Sequence, residues 1–190
     1  MQQTIVTKEQ GHQAIDTSAY TDVINEIGFM TLSSTADDIH KDVHRLMDEK
    51  HRHWLFHWDD IGDGRKVVTV RSPYLSGINV VPSPLPKVGD MVEFDVRLHA
   101  VRRGGRREFP LKAAEVNAWM QPRMKGFCLI GVRSVATCAI PKNKEFTFNG
   151  FMVHGSALVD DADAAFQTLT EGIGRSRGYG FGMLMISKEA

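Results

Sequence analysis

From residue 91 onward the hydrophobic pattern runs strand, helix, strand, strand, helix, strand, which predicts an α+β fold built on the ferredoxin-like β-α-β-β-α-β unit. Two further observations extend this to two ferredoxin-like domains in tandem. The first half carries a more degenerate copy of the same order. Pro82, Pro84 and Pro86 form a stiff segment between the copies. The predicted division is an N-terminal domain at residues 1–86 and a C-terminal domain at residues 87–190.

Residues 1–20 are polar and weakly periodic, and read as a loose arm or a short strand at residues 4–7. Residues 27–32 form a strand. Ser34 or Thr35 caps the helix that follows, because a hydroxyl there accepts from a free amide of the first turn. In that helix Ile39, Val43, Leu46 and Met47 fall at i, i+4, i+7 and i+8 and make one apolar face. Residues 54–58 alternate as a strand, with Trp54, Phe56 and Trp58 on one side and His53, Leu55 and His57 on the other. Alternating aromatics of this kind are core side chains first. The competing reading is a stacking platform of the sort RRM-like sheets offer to RNA bases. Gly62-Asp63-Gly64 is a turn, and residues 66–71 are the next strand.

In the second half a strand at residues 91–101 leads into a basic turn. Pro110 starts a helix that reaches Met120, with Trp119 turned to the core. Residues 127–140 and 145–159 are strands. Asp160 or Asp161 caps a helix carrying Ala164, Phe166, Leu169 and Ile173, and a strand at residues 181–186 closes the chain.

Composition bounds the function. The chain has 190 residues, 42% hydrophobic, which supports a packed core and argues against global disorder. No apolar run approaches the ~18 residues of a membrane span. Met1-Gln2-Gln3-Thr4 lacks the basic and apolar regions of a secretory signal. Cys128 and Cys138 are too few for a disulfide framework or zinc knuckle, so a reduced cytoplasm is expected. Net charge is zero, with 23 basic and 23 acidic residues, which removes the whole-protein signature of a nucleic-acid binder. The distribution is uneven, however. Arg97, Arg102, Arg103, Arg106 and Arg107 fall in a stretch without an acid, and such a strip can track a phosphate backbone or be a solvated hairpin tip.

The most informative stretch is 171–184, in which five glycines alternate with basic and aromatic residues. Glycine lets backbone approach a ligand closely, and arginine suits phosphate. Arg175, Ser176 and Arg177, flanked by Gly174 and Gly178, are therefore candidate phosphate contacts. The stretch runs from helix to strand, unlike a dinucleotide fingerprint, and lacks the Gly-Lys-Ser/Thr of a Walker loop. Alone it is also compatible with a plain flexible turn.

Five of the eight histidines lie in residues 40–57. His44 sits one residue past Val43, at the edge of the apolar helix face, where a side chain is both positioned and exposed. Lys41 lies one turn back from it. His40 and His44 at i, i+4 have a zinc-ligand spacing, but no H-E-x-x-H and no nearby cysteine accompany them, and a neighbouring lysine disfavours a cation. No metal and no cofactor are expected.

The segment 172–184 resembles the glycine-rich loop of CRISPR-associated RNA-processing proteins of the RAMP superfamily, in particular the CasE-type endoribonucleases of the Cas-six family in type I-E systems. Val43-His44-Arg45-Leu46-Met47 resembles their first-helix motif around a catalytic histidine, and Val68-Thr69-Val70-Arg71-Ser72 their next strand. Arg97 through Arg107, Pro110-Leu111, Glu115 and Ala118-Trp119 resemble their basic strand and following helix. The resemblance covers roughly residues 27–190. It implies two ferredoxin-like domains and metal-independent cleavage at the base of a CRISPR repeat hairpin, with the RNA's own 2′-hydroxyl as nucleophile. It further implies a product kept as mature crRNA and partnership with the other subunits of the Cascade complex.

On that footing His44 is the expected general acid or base, Lys41 the neutraliser of added phosphate charge, and His40 the alternate. Arg102, Arg103, Arg106, Arg107, Arg175, Ser176 and Arg177 are the expected RNA contacts, held by Gly174 and Gly178. The family's tyrosine three residues before the histidine is Lys41 here, which keeps open a non-catalytic RNA-hairpin-binding subunit. An acylphosphatase-like small-molecule enzyme is an analogy of fold alone.

Overall fold

The computed structural model describes residues 23–47, 53–73, 75, 81–105 and 107–188. The arm or strand expected within residues 1–20 lies outside these residues.

Two four-stranded antiparallel sheets carry the fold. The first contains β1 (Val23–Thr31), β2 (Leu55–Gly62), β3 (Arg65–Arg71) and β4 (Val81–Pro84) in the order β2-β3-β1-β4, with α1 (Ala36–Leu46) between β1 and β2. The second contains β5 (Met91–Leu98), β8 (Phe127–Pro141), β9 (Thr147–Val159) and β10 (Leu184–Lys188) in the order β10-β5-β9-β8. Taken in chain order within each half, both sheets read fourth-first-third-second. The second half realises the full β-α-β-β-α-β connection, with α2 (Val116–Met120) and α3 (Ala162–Glu171) as its helices. Between β5 and α2 a separate hairpin, β6 (Val101–Gly104) with β7 (Arg107–Pro110), stands off the sheet.

Two apolar clusters form the core, and the smaller one seats Ile140, Phe148 and Phe181 of the second half against the first. Ile39 and Val43 of α1 pack fully buried against Phe56, Val68 and Val70, and each such side chain contributes roughly 1.5–3 kcal/mol on burial. The larger cluster joins Phe94, Val96 and Leu98 of β5 to Met120 of α2 and Phe166 and Leu169 of α3. Trp58 and Phe56 are core, as their alternation suggested, and Trp54 packs at the cluster's edge. Thr35 caps α1 by accepting from the Asp38 amide at 3.2 Å, and Asp161 caps α3 by accepting from the Ala164 amide at 3.0 Å.

Several expectations are corrected. Leu46 is 43% exposed, because α1 ends there and its face turns away from the core. The proline segment is not a linker: Pro82 and Pro84 belong to β4, paired with Asn25 and Val23. β4 is an edge strand, where the missing N–H of proline costs least. The strand expected at residues 91–101 breaks after Leu98. Pro110 closes β7 instead of opening a helix; a short 3-10 turn at Ala113–Glu115 leads into α2. β10 starts at Leu184, so Phe181 belongs to the loop before it.

The halves are also joined by buried arginines. Arg71 of β3 donates to Leu169 O of α3 and Leu184 O of β10, both at 2.9 Å, while its Nε and Nη2 bind Glu26 at 2.8 and 2.6 Å. Arg97 of β5 lies 4.1 Å over the Trp58 ring and donates to Trp58 O at 3.0 Å.

Candidate nucleic-acid interface

The glycine-rich stretch is an ordered loop. The Ile173 amide donates to Gly182 O at 2.9 Å and the Gly182 amide to Arg97 O at 2.7 Å, closing the loop at its base. Within it Ser176 adopts a left-handed φ of 57°, uncommon for a residue with a Cβ, and Arg177–Tyr179 make one 3-10 turn. Gly180 has φ +76° and lies over Trp58, so close that a Cβ there would stand 1.8 Å from the ring. Glycine is required at that point by both conformation and space.

This loop sits on α1. His40 Nδ1 is 2.6 Å from Gly178 O. A carbonyl only accepts, so Nδ1 carries a proton, and in the neutral ring Nε2 is then the acceptor nitrogen. Trp54 and Tyr179 flank the His40 ring at centroid distances of 5.2 and 5.6 Å. His44 follows one turn later, half-buried, with its ring 6.0 Å from that of His40. The two imidazoles thus form one face opening beside the loop. Lys41 is not drawn to them: its ammonium pairs with Asp38 at 3.4 Å and is 63% exposed.

On its other side the loop meets the basic hairpin. Arg175 forms a backbone bridge with His99 and an ion pair with Glu108 of β7. His99 Nδ1 lies 2.7 Å from Ser176 Oγ. Burial, and then the Arg175 charge, pull the His99 imidazole below its usual range, which favours its neutral form. Arg177 donates to Glu171 O. Arg102 of β6 pairs with Glu115 at 3.0 Å. Arg103 and Arg107 take backbone places in β6 and β7, opposite Glu108 and Gly104; Arg106 lies outside the described residues. Arg97, the first arginine of the strip, is only 8% exposed and belongs to the junction between the halves.

Gly174 has φ +79°, and a Cβ there would come within 2.9 Å of Trp119. Gly178 is different: a Cβ would meet only the His40 ring, at 3.7 Å. The structure therefore brings α1, the glycine-rich loop and the β6–β7 hairpin into one continuous strip. The sequence did not reveal the contacts that join them, through His40, Tyr179 and His99. Among the described residues no three histidine, cysteine or carboxylate side chains are placed to hold a metal ion.

The amino-acid sequence matches the family described as CRISPR associated protein over residues 25–188. The chain belongs to this family. No curated protein matches it in sequence. Solved structures resemble this CRISPR-associated protein in fold. A CRISPR endoribonuclease Cse3 bound to 19 nt RNA superposes with a TM-score of 0.71 at 18% identity, over 88% of this chain and 100% of the other. Thermus thermophilus Cse3 bound to an RNA representing a pre-cleavage complex gives 0.68 at 20% identity, over 88% and 100%. Cas6e from Escherichia coli K-12 gives 0.63 at 18% identity, over 87% and 98%. A similar chain occurs in a CRISPR RNA-guided surveillance complex, with a TM-score of 0.65 at 20% identity, over 87% and 100%. No helix among the described residues is long and apolar enough to cross a membrane.

Proposed function

We propose that this CRISPR-associated protein is a metal-independent endoribonuclease that cleaves repeat hairpins in precursor CRISPR RNA and holds the product as a Cascade subunit in the cytoplasm. The observation that carries the proposal is the His40–Gly178 contact, which seats the two-histidine face of α1 on the glycine-rich loop. The fold shared with the RNA-bound Cse3 structures, and with a chain of the surveillance complex, supports it. The halves act as domains 1–86 and 87–190, with the strip of loop and hairpin running between them.

In the reaction the 2′-hydroxyl oxygen attacks the adjacent phosphorus. The new 2′-O–P bond forms as the P–5′-O bond breaks. The products are a 2′,3′-cyclic phosphate and a 5′-hydroxyl. A base removes the 2′ proton and an acid supplies one to the departing oxygen. His44 fills one of these roles, and His40, whose Nδ1 is held by the loop, is placed to use Nε2 for the other. Lys41 is bound to Asp38 only by an exposed pair, worth little in water, and so is available to a phosphate. Arg102, Arg103, Arg106, Arg107, Arg175 and Arg177 hold the backbone, with Ser176 and the amides near Gly174 and Gly178 as further donors.

Labelled repeat RNA incubated with the protein in EDTA tests this: cleavage to a cyclic-phosphate end is expected. A second reading, a non-catalytic hairpin-binding subunit, is favoured by the absence of a tyrosine at position 41. It predicts a retarded but intact RNA in the same experiment.

A further inference from the structure

We propose that the cleft between the basic hairpin and the base of the glycine-rich loop is a pocket for one unpaired nucleotide of the bound RNA, outside the hairpin stem. The proposal rests on the RNA-binding reading above and adds a subsite to it. The cleft has a volume of about 670 Å³, within the range of ~300–1,000 Å³ of small-ligand sites. Four cations line it, Arg102, Arg123, Lys125 and Arg175, against the single acid Glu171. Arg102 and Arg175 are partly neutralised by Glu115 and Glu108. Arg123 and Lys125 have no acidic partner among the described residues, so the wall they form is net positive.

That wall also carries a preformed flat surface. The Arg123 guanidinium lies 4.1 Å over the Trp119 ring, and its Nη1 is held by Trp119 O at 2.6 Å. Gly174 blocks the ring edge, since even a methyl group there would stand 2.9 Å from it. The stacked pair is therefore fixed before any ligand arrives. An unpaired base stacks on an arginine plane or an aromatic ring, whereas stem bases are turned inward and cannot. Charge and plane together select a nucleotide over an isolated phosphate. Position supports the same ligand: Gly174 lines the cleft and Gly178, four residues along the same loop, touches His40. A strand crossing from the histidine face over the loop leads into the cleft.

The test measures affinity for three RNAs made uncleavable by 2′-deoxy residues at the stem base. They are a repeat stem-loop, the stem-loop with single-stranded nucleotides at its base, and the same tail with abasic positions. The tail is expected to strengthen wild-type binding roughly ten-fold, most of it lost with abasic nucleotides. Arg123→Ala/Lys125→Ala should lose the gain and bind the bare stem-loop as wild type does. Arg123→Lys should keep the charge-dependent part and lose the base-dependent part. The proposal is overturned if the double variant retains the gain, or if it weakens bare and tailed RNA equally. It is also overturned if RNA affinity is unchanged and the variant instead fails to join its partner subunit, which would make the cleft a seat for an acidic protein segment. Failure of the wild type to bind the bare stem-loop would overturn the parent reading as well, and so is distinguishable from failure of the pocket alone.

Discussion

The histidines divide by environment. His44 and His40 lie beside the loop, and the Nδ1 proton of His40 follows from a hydrogen bond made to a residue 138 positions away, which no local pattern could show. The spacing of His44 beside Val43 was legible, because a helix face is a local property; the tautomer of His40 was not. His44→Ala is expected to lower the cleavage rate by ~10²–10⁴-fold while hairpin affinity stays within a few-fold, since a general acid or base acts in the transition state. Single-turnover cleavage and binding on one preparation check it, and wild-type turnover would remove His44 from the mechanism. His57 is a structural counterpart. It is 5% exposed, its Nε2 meets Asp59 at 3.1 Å, and its Nδ1 has no partner among the described residues. Burial, then the Arg97 charge, hold it below its ordinary value of 6.5, against the opposing pull of Asp59 and Asp95. The unfolded chain therefore binds this proton more readily than the folded one. The stability is complete above pH 6.5 and is lost as pH falls below it. Melting temperatures at pH 7.5 and 5.5 should differ less in His57→Gln than in wild type; an equal acid loss in both would place the titration elsewhere.

At the scale of elements, the order of strands and helices could be read because each carries its own period: Ile39 and Val43 on α1, alternation along β9, caps at Thr35 and Asp161. Boundaries set by pairing partners could not. The prolines of β4 look like a linker until β1 supplies the edge on which they are tolerated. The glycine-rich loop shows the same limit. Its glycines read equally as phosphate-binding or as flexible, and the distinction lies in what each one touches. Gly180 is fixed by Trp58, whereas Gly178 has ordinary backbone and room for a side chain. Gly180→Ala is thus expected to destabilise the protein, through a contact that neither the ring nor the strand behind it can relieve. Gly178→Ala should melt as wild type does and bind RNA more weakly, because its methyl group would stand beside the His40 ring, where the proposed phosphate contact lies. Melting and binding measured together on both variants decide this. Full RNA affinity in a stable Gly178→Ala protein would show that the phosphate lies elsewhere on the loop.

For the whole molecule the question is what keeps two similar halves in one fixed arrangement, since a strip shared between them works only if they do not drift. Ile140, Phe148 and Phe181 pack on the first half's core, and the buried arginines add directed ties that sequence alone could not distinguish from the exposed ones of the hairpin. Arg71 is 4% exposed and Glu26, its partner, is also largely buried. Burial pulls the Arg71 guanidinium below its usual range and Glu26 opposes the shift, so the charge is kept by that one carboxylate. Its remaining donors go to Leu169 O and Leu184 O, at the end of α3 and the start of β10, the two elements that flank the glycine-rich loop. One side chain of the first half thereby fixes both ends of the loop in the second. Arg71→Met keeps much of the volume but removes the ion pair with Glu26 and one donor from each of the Leu169 and Leu184 carbonyls. A broken buried pair costs roughly 3–5 kcal/mol, and the loss should fall on the junction more than on either core. Calorimetry of the wild type should show one cooperative transition, and Arg71→Met a lower and broader one in which the halves part. Arg71→Met/Glu26→Gln should not restore the tie to α3 and β10. If Arg71→Met melts in one transition at the wild-type temperature, the shared apolar packing holds the halves by itself and the arginine is not what aligns the strip.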